Sequence, residues 1–205
     1  MHPIQFAVEY PDGPRNRATT FFRLILGIPI MIVLGAIGAT GFEAGSDDGT
    51  TFAGLAAGML FIPPLLMIVF RQKYPRWWFD FNLAYLRFHN RVFAYLLLLR
   101  DEYPSTDEEQ AVHLDLPYPD VEADLNRWLP LVKWFLAIPH YLVLIVLSIG
   151  MVLASIGAWV AILFTGRHPK GLFDFTVGVM RWHNRVNGYA FTLVTDEYPP
   201  FRLTA

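Results

Sequence analysis

Two similar polar segments hold most of the side chains that could do chemistry in this 205-residue chain. The segment RFHNRV begins at Arg87, the segment RWHNRV begins at Arg181, and each follows a copy of FDF. Because spacings of seven and four residues return to the same face of an α-helix, each segment predicts a stripe of one aspartate and two arginines. We interpret these residues, with the asparagine of each segment, as a structural clasp: Asp80, Arg87, Asn90, Arg91, Asp174, Arg181, Asn184 and Arg185.

The same segments allow two further interpretations. Basic clusters beside membrane-spanning segments attract anionic lipid headgroups. The candidate headgroup site consists of Arg87, Arg91, Arg181 and Arg185. Alternatively, His89 and His183 form a symmetrical pair that ligates haem, chlorophyll or a metal ion. An imidazole among aromatic residues more often has a structural role, so the clasp is the favoured interpretation.

His140 is a separate candidate because it lies within an apolar stretch, in the sequence IPHYL. Ionisable residues inside a membrane are functional candidates by default. A hydrogen bond to a neighbouring helix is the structural interpretation, and axial ligation of a pigment or haem is the alternative.

Motifs of enzymes are absent from the sequence. There is no cysteine, and no HExxH metal motif, GxSxG elbow or phosphate-binding loop occurs. A catalytic site needs a nucleophile, base or metal in mutual reach. We therefore expect no enzyme activity, no metal and no resident cofactor. The net charge of -2 and the scattered basic residues argue against nucleic-acid binding.

The composition favours a membrane protein. Hydrophobic residues make up 54% of the chain and charged residues only 17%, against roughly 25% charged residues in a typical soluble domain. No Asp, Glu, Lys or Arg occurs in residues 24–41, 49–70 or 134–166. About 20 apolar residues cross a bilayer, so we expect two helices in the last stretch, with a turn near Ser148 to Gly150. The sequence therefore predicts four membrane-spanning helices.

Basic residues lie at one set of ends of the predicted spans. Arg23 precedes the first span, Arg71 follows the second, Lys133 precedes the third and Arg167 follows the fourth. The loop between the first two spans carries only acidic charges, at Glu43, Asp47 and Asp48. By the positive-inside rule, we expect a multi-pass protein of the bacterial cytoplasmic membrane with both termini in the cytoplasm.

Internal similarity divides the chain into two predicted tandem units, residues 1–104 and 105–205. IQFAVEYPD at 4–12 matches VHLDLPYPD at 112–120, and DEYP recurs near the end of each unit. Each unit is predicted to contain a strand, a hairpin of two spans, an interfacial amphipathic helix and a second strand.

These elements define the predicted fold class as an α-helical integral membrane protein. Its four transmembrane helices form two parallel tandem hairpin repeats, each followed by an interfacial amphipathic helix. A small cytoplasmic β-sheet joins the repeats, since two strands alone would be marginal. The predicted strands lie at about 4–10, 93–100, 111–117 and 188–195.

The recurring NR…IP and FDF…HNRV…Y…DEYP pattern resembles an uncharacterised family of bacterial membrane proteins, domain of unknown function 4389. The most similar part is GRHPKGLFDFTVGVMRWHNRVNGYAFTLVTDEYPPF, residues 166–201, and the first copy, which lacks the Gly-Arg pair, fits more loosely. The resemblance covers nearly the whole chain as two copies. It implies the topology and the repeat, and it implies no catalytic residue.

Small residues within the predicted spans favour close helix packing. They are Gly54, Gly58, Gly150, Ala154 and Ala158. Together with the absence of reactive groups, these faces predict a non-catalytic accessory or assembly subunit of a larger bacterial membrane complex, respiratory or photosynthetic in type. Its expected partners are membrane lipids and other membrane subunits. An anionic-lipid-binding or channel-like protein is the first alternative, and a haem- or pigment-binding subunit is the second.

Overall fold

The computed structural model describes residues 2–38 and 53–204, with the backbone alone described for Gly38 and residues 53–60. Two strands and eight helices occur in these residues. In chain order they are β1 (Gln5–Val8), α1 (Arg17–Phe21), α2 (Arg23–Gly38), α3 (Ala53–Arg71), α4 (Arg76–Leu96), β2 (Val112–Asp115), α5 (Val121–Asp124), α6 (Pro130–Leu136), α7 (Ile138–Thr165) and α8 (Lys170–Ala190). We call residues 1–104 the first half and residues 105–205 the second half.

Prolines and a glycine mark the boundaries of the long helices. Pro75 and Pro169 have extended backbone angles and directly precede α4 and α8, where the missing N–H of proline leaves no hydrogen bond unmade. α7 ends at Gly166, whose positive φ of 71° suits glycine. α4 and α8 therefore begin in the same way, and each contains 21 residues.

β1 and β2 form a two-stranded antiparallel sheet that joins the two halves. Gln5 pairs with Asp115, and Val8 pairs with Val112. Alternate residues of each strand are buried, which is the pattern that alternating apolar residues predict. Strands therefore occur near two of the four predicted positions.

The other two predicted strands, at 93–100 and 188–195, are wrong. α4 continues to Leu96 and α8 continues to Ala190. A short run of apolar residues suits a buried helix as well as a strand. Since Val92 and Tyr95 are both buried at helical spacing, helix packing decides the structure here.

The predicted turn near Ser148 to Gly150 is also wrong, since α7 runs without interruption from Ile138 to Thr165. A glycine inside a helix costs only about 1 kcal/mol, and packing of α7 against α8 offsets that cost. At a rise of about 1.5 Å per residue, the 28 residues of α7 span about 42 Å. One helix thus replaces the predicted hairpin.

The prediction of four membrane-spanning helices is wrong for the described chain. Among the described residues, α7 alone is long and apolar enough to cross a membrane, with a mean hydropathy of 2.4. Two other apolar helices are shorter, Arg23–Ile37 and Phe61–Arg71. Absence of charge shows where a chain avoids water, but it does not set where a helix begins and ends. The helices therefore do not form two transmembrane hairpins in tandem.

α4 and α8 are inner helices rather than the predicted interfacial helices on a membrane surface. α8 packs against α7 and β1, while α4 packs against α2 and β2. Val92 on α4 and Val179 on α8 are completely buried. The amphipathic pattern of these helices therefore reflects burial against protein.

Some predicted features lie outside the described residues. The acidic loop with Glu43, Asp47 and Asp48 is one of them. The packing of Gly54 and Gly58 is another, because only the backbone of that part of α3 is described. Both features stay predictions.

The other small residues lie where α7 meets its neighbours. Ala154 and Ala158 are buried, and Ala158 is completely enclosed. A Cβ added at Gly150 would lie 3.3 Å from the ring of Phe175 on α8. Small side chains at these positions allow neighbouring helices to approach α7 closely.

Gly188 is the point at which α8 contacts the residue before β1, and it yields a test of this packing. A Cβ at Gly188 would overlap the Cδ1 atom of Ile4, whose side chain is 1% exposed and so is enclosed by other residues. We predict that Gly188→Ala lowers the free energy of unfolding by about 1–3 kcal/mol through overpacking. Gly171→Ala is the control, since nothing lies within 4 Å of its Cβ, and it should raise this free energy by about 0.4–1 kcal/mol. Thermal denaturation in mild detergent measures both, and equal effects would contradict the contact.

Candidate functional site

Arginines on the two inner helices bond to the strand from the opposite half of the chain. Arg87 on α4 donates from Nε to the carbonyl of Leu114 in β2, at 3.0 Å. Arg181 on α8 donates from Nε to the carbonyl of Phe6 in β1, at 2.9 Å. These two clasp residues therefore connect each half to the other.

The aspartates of the predicted stripe have other partners. Asp80 pairs with Arg76 at 3.4 Å, and Asp174 pairs with Lys170 at 3.3 Å, each one turn away on the same helix. All four side chains are exposed, and exposed pairs of this spacing contribute only about 0.3–0.5 kcal/mol. The aspartates thus stabilise their own helices, and the arginines alone reach the strands.

Arg91 and Arg185 are buried and bond to segments that follow the DEYP motifs. Arg91 donates to the carbonyl of Ser105 at 2.9 Å, and Arg185 donates to the carbonyl of Thr204 at 2.9 Å. Burial, together with neighbouring arginines, lowers the pKa of both guanidinium groups. These groups are used within the protein, and binding of lipid headgroups by the four arginines stays a prediction.

The tyrosine of each YPD motif also crosses between the halves. Tyr10 donates from its hydroxyl to the carbonyl of His168, and Tyr118 donates to the carbonyl of Tyr74, both at 2.5 Å. Each acceptor directly precedes the proline at the start of an inner helix. The tyrosines therefore position the start of α8 and of α4.

The arginine of each NR motif bonds to the last turns of an apolar helix in the other half. Arg17 donates to the carbonyl of Phe164 in α7 at 3.2 Å, and Arg127 donates to the carbonyl of Val69 in α3 at 2.6 Å. The last four carbonyls of a helix have no partner within the helix. These arginines satisfy two of them.

The DEYP motifs place a carboxylate beside a buried basic side chain. Asp101 pairs with Arg15 and Arg23, and Asp196 pairs with Lys133 at 2.6 Å. Burial lowers the pKa of Lys133, and Asp196 opposes that shift. Sequence reasoning missed these pairs, although DEYP recurs in both halves and Arg23 and Lys133 each precede a predicted span.

Asn90 and Asn184 meet between α4 and α8. Each amide nitrogen donates to the amide oxygen of the other residue at 2.8 Å. Each also donates to the carbonyl four residues earlier on its own helix. Both side chains are buried, and both amide hydrogens of each residue are used. The pair therefore fixes the two inner helices against one another.

A cavity of about 740 Å³ lies beside this pair, between α4, α7 and α8. Sites for small molecules are typically about 300–1,000 Å³ in volume. The described lining is mostly apolar and contains no aspartate, glutamate, lysine or arginine. Besides the asparagine pair, its polar members are His89, Tyr141, Ser148, His183 and Asn187.

The structure brings the predicted histidine pair together at this cavity. His89 stacks on Phe93, with ring centroids 4.5 Å apart. Burial and the nearby His183 lower the pKa of His89 to about 4, so its ring is neutral near pH 7. His183 has Nδ1 at 3.0 Å from the carbonyl of Val179 and Nε2 at 3.4 Å from the hydroxyl of Ser148. In the described part of the chain, no group of three or more His, Cys, Asp or Glu side chains could hold a metal ion.

His140 lies away from this pair, among aromatic rings. Trp182 donates from Nε1 to Nδ1 of His140 at 3.1 Å, and Phe201 stacks on the imidazole with centroids 4.0 Å apart. The side chain is completely buried. A bond to a neighbouring helix is the arrangement that the structural interpretation expects.

Two residues of the cavity lining each have a polar atom without a hydrogen-bond partner among the described residues. These atoms are the hydroxyl of Tyr141 and the amide oxygen Oδ1 of Asn187, and both are buried. An unpaired buried polar group costs about 1–3 kcal/mol, so each one in a native structure needs an explanation. A ligand with complementary polar atoms would supply one.

Comparison with known proteins relates part of this site to one family. Residues 128–202 match the family described as Domain of unknown function (DUF4389), in one copy. The matched range contains α6, α7 and α8, with His183 and Asn184 on α8, and it also contains Asp196 after α8. No curated protein and no solved structure matches the chain. The match thus covers the second-half side of the cavity.

The lowered pKa of His89 predicts a pH dependence of stability. This pKa falls from 6.5 to about 4 on folding, so between these pH values the unfolded chain binds a proton that the folded chain does not. The contribution of His89 is therefore complete above about pH 6.5 and is lost as the pH falls toward 4, by up to about 3 kcal/mol.

His89→Gln removes this titration and should make the unfolding free energy depend less steeply on pH between 4 and 7. Part of the dependence should remain, because burial also lowers the pKa of His2, His168 and His183. Gly171→Ala removes no titratable group, and nothing lies within 4 Å of its Cβ, so it is the control and should retain the dependence of the original chain. Denaturant titrations at several pH values measure the slopes. An unchanged slope for His89→Gln would rule out the assignment.

Proposed function

We propose that this chain is a membrane-associated, non-catalytic accessory or assembly subunit of a larger bacterial membrane complex, respiratory or photosynthetic in type. In this proposal α7 lies in the bilayer, and the outer apolar faces contact lipid and partner subunits. Residues 1–104 and 105–205 are tandem copies of one family unit. The apolar outer face of α7 is the observation that carries the proposal.

Large apolar side chains on the outer face of α7 are not covered by any described part of the chain. Val146 is 68% exposed, Leu153 is 62% exposed and Phe164 is 80% exposed. In the most apolar 18-residue part of α7, only 11% of the residues are buried inside the protein. Exposing apolar surface to water costs about 25 cal/mol per Å², which supports a lipid or protein environment for this face.

α2 and α6 add apolar surface outside α7. Leu24 and Ile32 on α2 are 74% and 66% exposed, and Phe135 on α6 is 54% exposed. Exposed apolar patches of more than several hundred Å² mark interaction sites. If α7 is the only span, lipid covers the outer face of α7 alone. The exposed apolar faces of α2 and α6 then need another cover, which supports contact with a partner subunit.

Matching contacts in the two halves support the tandem relation. Arg87 and Arg181 each bond to the strand of the other half. Asp101 and Asp196 each pair with a buried basic residue. The recurring polar residues are thus used in holding the chain together, which supports a role without catalysis.

A charge on the outer face of α7 should reduce membrane insertion. Leu153→Arg places the charge near the centre of the helix, where it costs about 2.5–3.5 kcal/mol. We expect less of this variant in carbonate-washed membranes. Glu122→Arg in α5, an exposed position, is the control and should fractionate like the original chain. Equal recovery of Leu153→Arg in the membranes would contradict the placement of α7 in the bilayer.

The partner subunit is tested by purification from native membranes in mild detergent and native mass spectrometry. We expect a complex of fixed stoichiometry with another membrane protein. Replacing the exposed Ile25 and Ile32 of α2 by serine should release the chain without lowering its thermal stability. A stable monomer without a partner would contradict the accessory role and leave the membrane placement intact.

A further inference from the structure

We propose that the cavity between α4, α7 and α8 binds a quinone or its reduced quinol, an uncharged and lipid-soluble ring with two oxygen substituents. This goes beyond the accessory role, because it assigns the chain a small-molecule ligand of its own. Three features carry it: access from an apolar surface, a lining without charged groups, and two buried polar atoms that lack partners.

Access is from the outer face of α7. Ile145 and Ile149 line the cavity, and they are also 60% and 59% exposed on the surface of the helix. The cavity therefore reaches an apolar surface, and a molecule dissolved in lipid or detergent enters it without crossing water. A ring with an apolar tail fits this path, since the tail stays on the apolar face.

The lining excludes a charged ligand. Its described residues include no acidic side chain, lysine or arginine, and the ring of His89 is neutral near pH 7 because burial lowers its pKa to about 4. A phosphate, carboxylate or ammonium group would lose its hydration here without gaining a counter-charge. Phospholipid headgroups and haem propionates therefore do not fit the inner part of the cavity.

The unpaired atoms match the two redox forms of a quinone. The Tyr141 hydroxyl is a donor, and a quinone carbonyl is an acceptor. The Asn187 Oδ1 atom is an acceptor, and a quinol hydroxyl is a donor. An acyl chain would leave both protein atoms buried and unpaired, so it is the poorer occupant.

Aromatic residues complete the site. Phe93 and Phe191 line the cavity, and flat aromatic rings favour stacked or edge-to-face contact with another planar ring. His183 is less suited to axial ligation of a tetrapyrrole, because both of its ring nitrogens already contact protein oxygens, on Val179 and Ser148. The contacts of His183 therefore favour a quinone over a tetrapyrrole held by that residue.

The test is calorimetric titration of the purified full chain in mild detergent with decyl-ubiquinone, with detergent alone as the blank. We expect saturable binding of one molecule per chain. Tyr141→Phe removes only the unpaired hydroxyl, so affinity should fall about three- to tenfold while thermal stability is unchanged or higher. Tyr10→Phe is the matched control, since it loses the bond to His168 outside the cavity. It should lower thermal stability and leave affinity unchanged.

A second variant separates the two redox forms. Asn187→Leu removes the acceptor Oδ1 together with the donor Nδ2. It should weaken binding of decyl-ubiquinol more than binding of decyl-ubiquinone, because Tyr141 still donates to the quinone carbonyl, whereas the quinol hydroxyl loses the acceptor that the proposal assigns to it. Titrations of both forms under argon measure the difference. Equal losses would overturn the assignment of Asn187.

Three results would overturn the whole proposal. The first is absence of saturable decyl-ubiquinone binding to the original chain. The second is unchanged affinity in Tyr141→Phe. The third is a tetrapyrrole absorption band in the purified protein that disappears in His89→Leu or in His183→Leu, because it would identify a pigment or haem as the occupant.

Discussion

The fold depends on carbonyl oxygens of one half accepting hydrogen bonds from arginines of the other half. A two-stranded sheet is marginal by itself, and β1 and β2 are held because Arg181 bonds to Phe6 and Arg87 bonds to Leu114. Guanidinium groups suit this task, since they stay charged when buried and offer several donors in a fixed geometry. The first half bonds to the strand of the second half, and the second half bonds to the strand of the first, so the same residue types are needed twice. That requirement explains why the polar motif of this apolar chain recurs.

The exchange of bonds also fixes where a ligand can lie. Once α4 and α8 are held by opposite strands, Asn90 and Asn184 meet and use each other's amide groups. The cavity lies beside this saturated pair, with α7 as its outer wall. Most recurring polar residues satisfy backbone carbonyls, whereas the hydroxyl of Tyr141 does not. The recurring His89 and His183 mark the cavity, and the residues with unused bonding capacity mark where a ligand would bond in it.

Apolar stretches in this chain serve two purposes that composition alone does not separate. The outer residues of α7 face away from the protein, while Ala158 in the same helix is completely enclosed. The stretch from 93 to 100 is also mostly apolar. It contains the end of α4, and its residues Ala94 and Leu99 are completely buried in the core. Hydropathy measures avoidance of water, and both lipid and a protein interior satisfy it. The prediction of four spans failed for a different reason: residues 138–165 form one helix instead of two, and α7 alone among the described helices is long and apolar enough to cross a membrane.

The sequence by itself determined the features that depend on neighbouring residues. These are the alternation that forms β1 and β2 and the prolines that precede α4 and α8. It also indicated His89 and His183 as a pair, because the motif that carries them recurs. Only the tertiary structure decided that Arg87 bonds to a strand instead of Asp80, that residues 138–165 form one helix, and that Tyr141 lies unpaired at the cavity. Those outcomes depend on which distant residues meet, and local periodicity carries no information about that.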